Sequence, residues 1–600
     1  MSTPARQDAN PPESAMSLAE LIQLAEVLQT NGREQEAVQV YRHWLDQSQD
    51  EQRFLAWFNF GALLQKLNLI DDAQQAYRTC LELRPHMAQA SINLGLLQER
   101  QGHNDVALAH WSNVVAQALL QTNPDKGLQT MALNHMGRLY EKLKQYDLAE
   151  QALAQSLAVD PHQAGAIQHW VHIRQKACKW PVYKKLPQVS MNDMLMYTSP
   201  LAMLSLSEDP VMQLLCAHSF VTRTYGQLKE ERLCQVKQYG HQRIRIGYVS
   251  GDLCTHAVGL LMADFIEAHD RERFEIYGYD FSPEDGSAYR ERLKKSFDHI
   301  RFVHSLSEAQ IAQVVMHDEI DVLIDLHGLS SGARPGIFAL HPAPLQGTYL
   351  GYIGTTAMPW FDFVVCDRWV LPEELTPYFK EQPLYLEGSF IPMNKDESVL
   401  RAAQRSEFSI AQDALVMAAF GNVYKINDAM FNVWCNILQR VEKSVLWLID
   451  DNPATTRELK QQAKLRGIGE HQIIFTPRAA HSEYRARIQL ADVFLDNFPY
   501  NCGSTTADVI SCGVPIVTLY GKTMVSRMGK SILSSLGLHE LITATPQAYE
   551  DLVVSLLSSP EQRQKVRTHL ASQWANVHQQ TQRNVASLEA GLMQRLQALA

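Results

Sequence analysis

A period of 34 residues runs through the first third of the chain and limits what that part can fold into. Gly61 and Gly95 are 34 residues apart, and so are Ala73 and Ala107. Gly137 continues the pattern 8 residues later than the period requires, which indicates an inserted loop. Glycine and alanine let two helices approach closely, and a proline that follows two of these glycines by 24 residues would end a helix. The period therefore predicts about four stacked helix pairs.

This spacing resembles that of the tetratricopeptide repeat, whose stacked helix pairs form a solenoid. We expect the solenoid to occupy residues 17–165, after a polar N-terminus at residues 1–16 that is predicted to be disordered. A generic helical bundle is the alternative. Solenoids of this kind bind peptides or proteins on their concave face, so this part of the chain predicts a protein partner and not a catalytic site.

The composition argues against several classes of protein. Charged residues make up 20% of the chain and the net charge is −11, without a basic stripe, which argues against a nucleic-acid-binding protein. Nine cysteines without a C-x-x-C pair indicate reduced thiols in the cytoplasm and give no support to a metal site. No run of about 18 apolar residues occurs, so no membrane span is predicted.

After the repeats the pattern changes. Residues 166–240 predict a helical connector, and beyond it short apolar runs alternate with helices in two series. The predicted strands are residues 244–249, 274–279, 322–326, 346–350 and 363–366 in the first series, and 416–420, 444–448, 472–475, 493–495 and 515–519 in the second. This alternation predicts two Rossmann-like domains with parallel sheets. Ligands bind at the carboxyl ends of such strands, so the site is expected in the loops that follow them.

Loops of the first series carry candidates for acid–base chemistry and for close ligand contact. Asp252 and His256 follow the first predicted strand, and a histidine beside a carboxylate can act as a general base. A helix cap or a packed histidine is the alternative. Gly351, Gly354 and Thr355 follow another strand, where glycine allows the backbone to approach a ligand.

Two loops of the second series have the features of a phosphate site. Asn422 and Lys425 follow a predicted strand, and a lysine there can neutralise a phosphate unless it is simply solvated. Ser504 and Thr505 precede a predicted helix, whose first N–H groups suit a phosphate without any basic residue. A plain N-cap is the alternative. No Walker-type phosphate loop occurs, which disfavours hydrolysis of nucleoside triphosphates.

Together these loops resemble the O-GlcNAc transferase family, which is glycosyltransferase family 41 and includes bacterial SPINDLY-like members with tetratricopeptide repeats. The matching stretches are G-Y-V-S-G-D-L-C-T-H-A-V-G, L-H-P-A-P-L-Q-G-T-Y-L-G-Y-I-G-T, Y-K-I-N-D-A-M-F-N-V-W-C-N-I-L and Q-L-A-D-V-F-L-D-N-F-P-Y-N. The resemblance implies a GT-B fold after the α-helical solenoid. Its N-terminal catalytic lobe would occupy residues 241–395, and its nucleotide-sugar-binding lobe, with a C-terminal helix, residues 396–600.

The resemblance also implies roles for single residues. His256 would lie near the acceptor and the sugar, and Lys425 would bind the diphosphate and support the leaving group. The donor-binding residues that it implies are Asn422, Lys425, Ala479, His481, Arg487, Ser504, Thr505 and Asp508. Further active-site candidates, from the family or from their position after strands, are Asp252, His299, Arg334, Gly351, Gly354, Thr355 and Tyr484.

The family implies inverting transfer of N-acetylglucosamine from a UDP-sugar to Ser or Thr of a protein. No cofactor or metal is expected, since the chain has no Asp-x-Asp motif. The acceptor would bind in the repeat groove, where Asn59 and Asn93 each lie two residues before a repeat glycine. Ordinary polar surface residues are the alternative reading of these two asparagines. The oligomeric state is left open.

Two departures from the family leave the donor sugar open. Many relatives carry a histidine in N-G-H-T-T, where Gly503 is expected to stand here, and another histidine at the position of Tyr484. Three alternatives therefore remain. The chain would transfer a hexose to Asn of an adhesin, transfer fucose to a protein hydroxyl, or serve as a repeat scaffold without activity.

Overall fold

The computed structural model describes residues 16–228, 231–393 and 400–599. The predicted disordered N-terminus lies outside the described residues except for Met16. Contacts divide the chain into two compact units, one of residues 1–166 with 186–189 and one of residues 167–185 with 190–600.

The first unit contains four helix pairs, and consecutive helices pack against each other. The helices are α1 (Leu18–Thr30), α2 (Glu34–Gln47), α3 (Arg53–Lys66), α4 (Ile70–Leu83), α5 (Ala88–Arg100), α6 (Asn104–Leu119), α7 (Lys126–Lys142) and α8 (Tyr146–Val159). The predicted insertion is accommodated by a longer α6, a longer α7 and the loop between them. Its position agrees with the irregular spacing before Gly137.

The repeat glycines lie where one helix touches a large side chain of the next, which is aromatic at Gly61 and Gly95 and is Leu153 at Gly137. A Cβ atom on Gly61 would lie 2.8 Å from the Tyr77 ring, and one on Gly95 would lie 2.4 Å from Nε1 of Trp111. Trp111 is fully buried, and its Nε1 donates a hydrogen bond to the carbonyl oxygen of Ile92 at 3.2 Å. The 34-residue period therefore reflects a helix contact that leaves no room for a side chain at the glycine position.

The second unit begins within helix α9 (Ala164–Lys176). Two short helices and one longer helix follow in the predicted connector, which are α10 (Met191–Tyr197), α11 (Pro200–Leu206) and α12 (Pro210–Tyr225). Each of these three begins with a side-chain cap from Ser190, Ser199 or Asp209. Among the described helices of the chain, none is long and apolar enough to cross a bilayer.

The first sheet has seven parallel strands in the order β3-β2-β1-β4-β5-β6-β7. The strands are β1 (Ile244–Ser250), β2 (Phe274–Asp280), β3 (His299–Phe302), β4 (Val322–Asp325), β5 (Leu345–Thr348), β6 (Phe363–Cys366) and β7 (Gln382–Tyr385). The helices between them are α13 (Ala257–Glu267), α14 (Ala288–Ser296), α15 (Glu308–His317) and α16 (Gly336–Ala339). Ile246 of β1 lies opposite Ile276 and Val322 in the buried centre.

The second sheet has six parallel strands in the order β10-β9-β8-β11-β12-β13. The strands are β8 (Leu415–Ala419), β9 (Ser444–Asp450), β10 (Ile473–Pro477), β11 (Val493–Leu495), β12 (Ile516–Leu519) and β13 (Ile542–Thr543). The helices are α17 (Asp428–Arg440), α18 (Pro453–Leu465), α19 (His481–Ile488), α20 (Ser504–Ser511), α21 (Met528–Ser535), α22 (Pro546–Ser558) and α23 (Pro560–Trp574). We call residues 244–393 the first lobe and residues 400–576 the second lobe.

All ten predicted strands are present, but the sequence missed β3, β7 and β13. The first two are edge strands of four residues, H-I-R-F and Q-P-L-Y, and most of their residues are partly exposed. Their polar residues hide the apolar run on which strand prediction depends. β13 has only two residues, Ile542–Thr543, and is too short to leave any pattern.

The last helix, α24 (Val577–Leu599), packs against the first lobe although it follows the second in sequence. Asn584 Nδ2 donates to the carbonyl oxygens of Glu387 and Ser389 at 2.7 and 2.8 Å. Nδ1 of the buried His269 lies 2.8 Å from Oε1 of Glu589. The C-terminal helix therefore ties the end of the chain back to the first sheet.

Replacing Gly95 with alanine is expected to destabilise the repeats by about 1–3 kcal/mol, because the methyl group must displace a rigid, buried indole. Gly165→Ala is the matched control, since this helical glycine has no atom within 4 Å of an added Cβ. The control should be neutral or gain up to about 1 kcal/mol of helix propensity. Urea unfolding followed by circular dichroism measures the difference, and equal stability of the two variants would contradict the packing.

Candidate active site

The strand order brings loops at the candidate site together in two pairs. In the first sheet the order reverses between β1 and β4, and in the second between β8 and β11. Crevices in doubly wound sheets open at this switch point, beyond the carboxyl ends of the strands. The loops after Ser250 and Asp325 therefore begin side by side, and so do those after Ala419 and Leu495.

Two histidines and an aspartate form a cluster at the switch point of the first sheet. His256 Nδ1 lies 3.5 Å from Asp252 Oδ2, and His327 Nδ1 lies 3.7 Å from the same oxygen. The His256 side chain is 49% exposed, whereas that of His327 is 2% exposed. A ligand can therefore reach His256, while His327 is enclosed behind it.

The protonation of His327 follows from its two ring contacts. The N–H of Gly251 donates to Nε2 at 2.8 Å, so the proton of the neutral ring lies on Nδ1, 3.1 Å from Ser330 Oγ. Burial lowers the pKa of His327 and favours this neutral form. The nearby Asp252 carboxylate is thus left to interact with His256. His256 also caps α13, since its Nδ1 accepts from the Val258 N–H at 3.4 Å.

A buried carboxylate holds the loop after β4. Asp325 accepts hydrogen bonds from the N–H groups of His327 at 3.0 Å and Gly328 at 2.7 Å, and burial raises its pKa to about 7. The Phe281 ring stacks on His327 with centroids 5.5 Å apart, and the Arg334 guanidinium lies 5.4 Å from the Phe281 centroid. Arg334, predicted as an active-site residue, is thus separated from the cluster by an aromatic ring.

At the second switch point a 3₁₀ turn, Val423–Lys425, carries a lysine. Lys425 Nζ lies 3.8 Å from the centroid of the Tyr500 ring, which is a cation–π contact. Asn422 precedes the turn, and its Oδ1 accepts from Arg478 Nη2 at 2.7 Å. This bond fixes the Asn422 amide so that its NH₂ group is the part available to a ligand.

Helix α20 begins at Ser504 after Gly503, and no side chain caps its first turn. The first N–H groups of a helix need an acceptor from outside the helix. The loop before it is held by Asp496, whose buried carboxylate accepts from the Cys502 N–H and the Thr518 hydroxyl, both at 2.6 Å. Burial raises the pKa of Asp496 to about 6. A rigid loop therefore presents an uncapped helix start.

The family motif at this loop corrects the expectation about Gly503. Residues 502–506 read C-G-S-T-T, and matching their glycine and threonines with N-G-H-T-T places Ser504 opposite the histidine. Gly503 is the glycine that both motifs share. A Cβ atom on it would lie 3.3 Å from Ile391 and 3.6 Å from Met528, so the position is also confined.

The residues predicted to bind the nucleoside come from the segment after β10 and from α20. His481 Nε2 is 2.9 Å from Asp508 Oδ1, which joins the start of α19 to α20. Tyr484, in the place of a family histidine, forms a hydrogen bond with Thr505, and burial raises its pKa well above the ordinary value. Ala479 lies in the short segment before α19. The structure thus joins α19 to α20 through the His481–Asp508 and Tyr484–Thr505 contacts.

Arg487 lies near these residues in α19, and its hydrogen bonds go to the end of β10 and to Glu483. Its Nη1 donates to the Thr476 hydroxyl at 3.0 Å and to the Pro477 carbonyl at 2.6 Å, and its Nε donates to Glu483 at 3.1 Å. The side chain is 11% exposed. In this arrangement Arg487 braces the end of β10.

Three tyrosines join the loops of the two lobes. The rings of Tyr424 and Tyr500 have centroids 6.2 Å apart. The pKa of Tyr500 is raised well above its ordinary value, first by burial and then by the phenols of Tyr424 and Tyr352. Tyr352 belongs to the first lobe, where a Cβ on Gly328 would lie 2.7 Å from its own Cβ. The turn of Lys425 therefore packs against Tyr500, and Tyr352, which lies against Gly328 after β4, interacts electrostatically with the same phenol.

His299 is a candidate that the structure does not bring into the cluster. It begins the edge strand β3, opposite Tyr277, three residues before the carboxyl end of that strand. Its Nε2 lies 2.8 Å from Glu275 Oε1. The sequence does not show which end of a strand a histidine occupies, and here it is the end away from the loops.

Three further candidates, which were expected to approach a ligand, have packing roles instead. The Thr355 hydroxyl donates to the buried Glu381 at 2.8 Å and accepts from two backbone N–H groups. A Cβ atom on Gly351 would lie 2.0 Å from the Leu326 carbonyl oxygen, so the glycine permits close contact of two loops. Gly354 is buried against Leu204.

Sequence reasoning overlooked His327, Tyr500 and Arg478. His327 had a usable signal, since D-L-H-G directly follows a buried strand. Tyr500 stands in F-P-Y-N and resembles an ordinary core aromatic. Arg478 follows β10 in T-P-R, which carries no distinguishing pattern. Within the described parts of the chain, no group of three or more His, Cys, Asp or Glu is arranged to hold a metal ion.

Comparison with known proteins extends this description. The family model of glycosyl transferase family 41 matches residues 227–398 and 391–586. The chain belongs to glycosyl transferase family 41. A tetratricopeptide-repeat model matches residues 55–87 and 132–163 of the first unit. The predicted family, and the predicted repeat solenoid followed by a GT-B pair of Rossmann-like lobes, are thereby confirmed.

Individual relatives agree with this assignment. The chain is 35% identical to the probable UDP-N-acetylglucosamine–peptide N-acetylglucosaminyltransferase SEC of Arabidopsis thaliana over 333 residues, which are 54% of this chain and 34% of the relative. It is 25% identical to the UDP-N-acetylglucosamine–peptide N-acetylglucosaminyltransferase of Caenorhabditis elegans over 449 residues, covering 56% and 38%. The chain thus spans little more than a third of these relatives.

A solved structure resembles most of the chain. It is a mutant of the O-GlcNAc transferase of Thermobaculum terrenum, with a TM-score of 0.67 and 25% identity. The match covers 92% of this chain and 100% of that one. The same succession of repeats and paired lobes therefore exists in a solved member of the family.

The raised pKa of Asp496 predicts a pH effect on stability. The folded protein holds this proton up to about pH 6 whereas the unfolded chain releases it near its ordinary value of 3.8, so stability falls as pH rises through that window. Asp496→Asn removes this dependence. Between pH 5 and pH 7 the variant should gain about 1 kcal/mol relative to wild type, since one pKa unit is worth about 1.4 kcal/mol. Urea unfolding at the two pH values measures it, and parallel pH profiles would contradict the burial of this carboxyl.

Proposed function

We propose that this chain is a protein glycosyltransferase that transfers N-acetylglucosamine from UDP-N-acetylglucosamine to a Ser or Thr hydroxyl of a protein. The observation that carries the proposal is the pairing of two switch points in one family-41 chain. One holds Lys425 beside an uncapped helix start, and the other holds Asp252 with the exposed His256. The names of the relatives supply the sugar, the nucleotide and the protein acceptor.

The second lobe would bind the donor through its diphosphate. Transfer of a sugar breaks the bond between the anomeric carbon and the phosphate oxygen, and the electron pair leaves on UDP. Lys425 supplies a full positive charge, and the start of α20 at Ser504 and Thr505 supplies N–H groups to the same leaving group. The NH₂ group of Asn422, oriented by Arg478, adds a further donor. These groups need not move when the negative charge develops.

The nucleoside would lie along the segment after β10. The His481–Asp508 pair offers a carboxylate and an imidazole at hydrogen-bond distance, suited to the hydroxyl groups of a ribose. The backbone at Ala479 and His481 would contact the uracil ring, and Arg487 would hold that backbone through the carbonyl of Pro477. This assigns Arg487 a supporting role and not a direct one.

The first lobe would receive the acceptor hydroxyl. Its oxygen attacks the anomeric carbon on the face opposite to UDP, which inverts the configuration. As the cap of α13, His256 Nδ1 accepts from the Val258 N–H at 3.4 Å, so the ring must release this N–H before Nδ1 can donate to Asp252, 3.5 Å away. Nε2 is then left to accept the hydroxyl proton, and the carboxylate stabilises the imidazolium that forms. The enclosed, neutral His327 keeps the loop in place and does not compete for the proton.

The repeats would bind the acceptor protein along the row of side chains that includes Asn59 and Asn93. Asn93 Nδ2 donates to the Tyr77 hydroxyl at 3.0 Å, and Asn59 forms a hydrogen bond with Tyr41. Each amide is therefore held by an aromatic residue of the preceding helix pair. A held side-chain amide suits recognition of a peptide backbone because less side-chain entropy is lost on binding.

Lys425→Ala is expected to lower kcat by about 10²–10³-fold, as loss of one preorganised charge-stabilising donor does in other enzymes. Sugar transfer to proteins of a cell lysate, read by mass spectrometry, measures it with a panel of UDP-N-acetylglucosamine, UDP-glucose, UDP-galactose and GDP-fucose. Lys443→Ala is the matched control, since this lysine is exposed and pairs with Asp413 at 2.8 Å. Full activity of Lys425→Ala, or preference of the wild type for another donor, would refute the assignment.

Substitutions of His256 and His299 should have different effects on activity in the same assay. His256→Ala is expected to reduce transfer by about 10²-fold or more, within the range for loss of a positioned acid–base group. His299→Ala should retain activity, because His299 lies at the far end of the edge strand β3 and contacts Glu275 of β2. Calorimetric binding of UDP should be nearly unchanged in both variants, since neither lies in the second lobe. The reverse order of activities would overturn the placement of the acceptor site in the first lobe.

A further inference from the structure

The connector contacts the turn that carries Lys425 from outside the second sheet. Gln175, near the end of α9, donates through Nε2 to the carbonyl oxygen of Tyr424 at 3.1 Å and to that of Ala202 at 3.4 Å. The Cys178 thiol donates to the carbonyl oxygen of Val423 at 3.5 Å. Gln175 is 2% exposed and Cys178 is fully buried. Two successive carbonyl groups of the turn thus rest on two buried side chains of the connector.

One peptide unit is held at both ends by these contacts. The carbonyl oxygen of Tyr424 accepts from Gln175, and the N–H of Lys425, in the same peptide bond, donates to the Asn422 carbonyl at 2.9 Å. The peptide group is planar, so fixing both of its polar atoms fixes the plane from which the Lys425 Cα departs. The Lys425 side chain then reaches the Tyr500 ring at 3.8 Å.

The connector itself is anchored to the second lobe close to these residues. The Thr455 hydroxyl, in the first turn of α18, donates to the carbonyl oxygen of Lys176 at 2.9 Å. Lys176 is the last residue of α9, directly after Gln175. The end of α9 is therefore fixed between α18 and the turn of Lys425. Because α9 is held there, the side-chain amide of Gln175 cannot move along with the turn if the turn shifts.

The hydrogen bonds of Gln175 indicate more than a packing role. Its Nε2 serves two carbonyl groups, whereas no described protein group donates to its buried Oε1. A buried amide that is only half satisfied costs stability, and an apolar side chain of the same shape would fill the space without that cost. The contribution of the Gln175 side chain is therefore its hydrogen bond to the Tyr424 carbonyl group.

We propose that Gln175 is a positioning residue for Lys425, so that the connector sets the place of the cation that meets the donor diphosphate. The inference rests on the proposed function. Without this bond the Tyr424–Lys425 peptide can rotate, and the ammonium group shifts away from the leaving group. The nucleoside contacts of His481 and Asp508 are not touched. The loss should therefore fall on kcat and leave KM for the donor within about twofold.

A double-mutant cycle tests this coupling. Gln175→Met keeps the volume and removes the donor, and it should lower kcat about ten- to hundredfold, since a displacement of 1 Å can cost about 10²-fold. In the Lys425→Ala background the same change should cost less than about twofold, because the residue through which it acts is gone. Equal losses in both backgrounds, or no loss in the wild-type background, would overturn the proposal.

Gln213→Met is the matched control. Gln213 is also a buried glutamine of the connector, and its Nε2 donates to the Ser207 carbonyl at 2.9 Å, away from the Lys425 turn. It should retain wild-type kcat. Thermal unfolding identifies any variant that has lost its fold.

Hydrogen exchange supplies a readout that does not require activity. Exchange of the Lys425 amide, followed by mass spectrometry of a peptide covering residues 420–428, should be faster in Gln175→Met than in wild type and unchanged in Gln213→Met. Unchanged exchange in Gln175→Met would refute the positioning role even if the chain transferred no sugar. Absence of transfer by the wild type, together with faster exchange, would instead refute the proposed function and leave the support of the turn established.

Discussion

One buried aspartate at the end of the fourth strand of each sheet holds the loops on which the candidate site depends. Asp325 follows this rule in the first lobe and Asp496 in the second, and both carboxylates accept backbone N–H groups of the loop that follows. Burial raises the pKa of both, to about 7 and about 6. Such burial costs stability, and it persists because these N–H groups need acceptors that the sheet does not provide.

The candidate residues of the two lobes differ in charge and in chemistry. The second offers a cation and helix N–H groups, in Lys425 and at the start of α20. The first offers a carboxylate and an imidazole, in Asp252 and His256. In the proposed reaction this difference orients the substrates, because a diphosphate is repelled by the carboxylate and attracted to the lysine. The acceptor hydroxyl needs His256 to take its proton, so it would bind at the first lobe. The difference between the lobes therefore determines where each substrate binds and in which direction the sugar is transferred.

Sequence alone predicted the features that repeat or that end an apolar run. The 34-residue period, the central strands and the loops after them were found because burial leaves a pattern in the chain. His299 was misplaced because a motif letter does not show whether a residue opens or closes its strand. Gln175 left no signal at all, since it contacts the Tyr424 carbonyl across 249 residues and donates to backbone, whose position is independent of residue type.

The position of α9 bears on where the catalytic part of the chain begins. By sequence, residues 166–240 look like a spacer between repeats and lobes. Yet the second compact unit starts at residue 167, within α9, and that helix ends against the turn of Lys425. A fragment that began at residue 177 would keep every strand and loop of both lobes. It would still lose the Gln175 amide, which holds the turn of Lys425. If Gln175 positions Lys425 as proposed, the minimal catalytic unit includes the end of α9 and does not begin at the first strand.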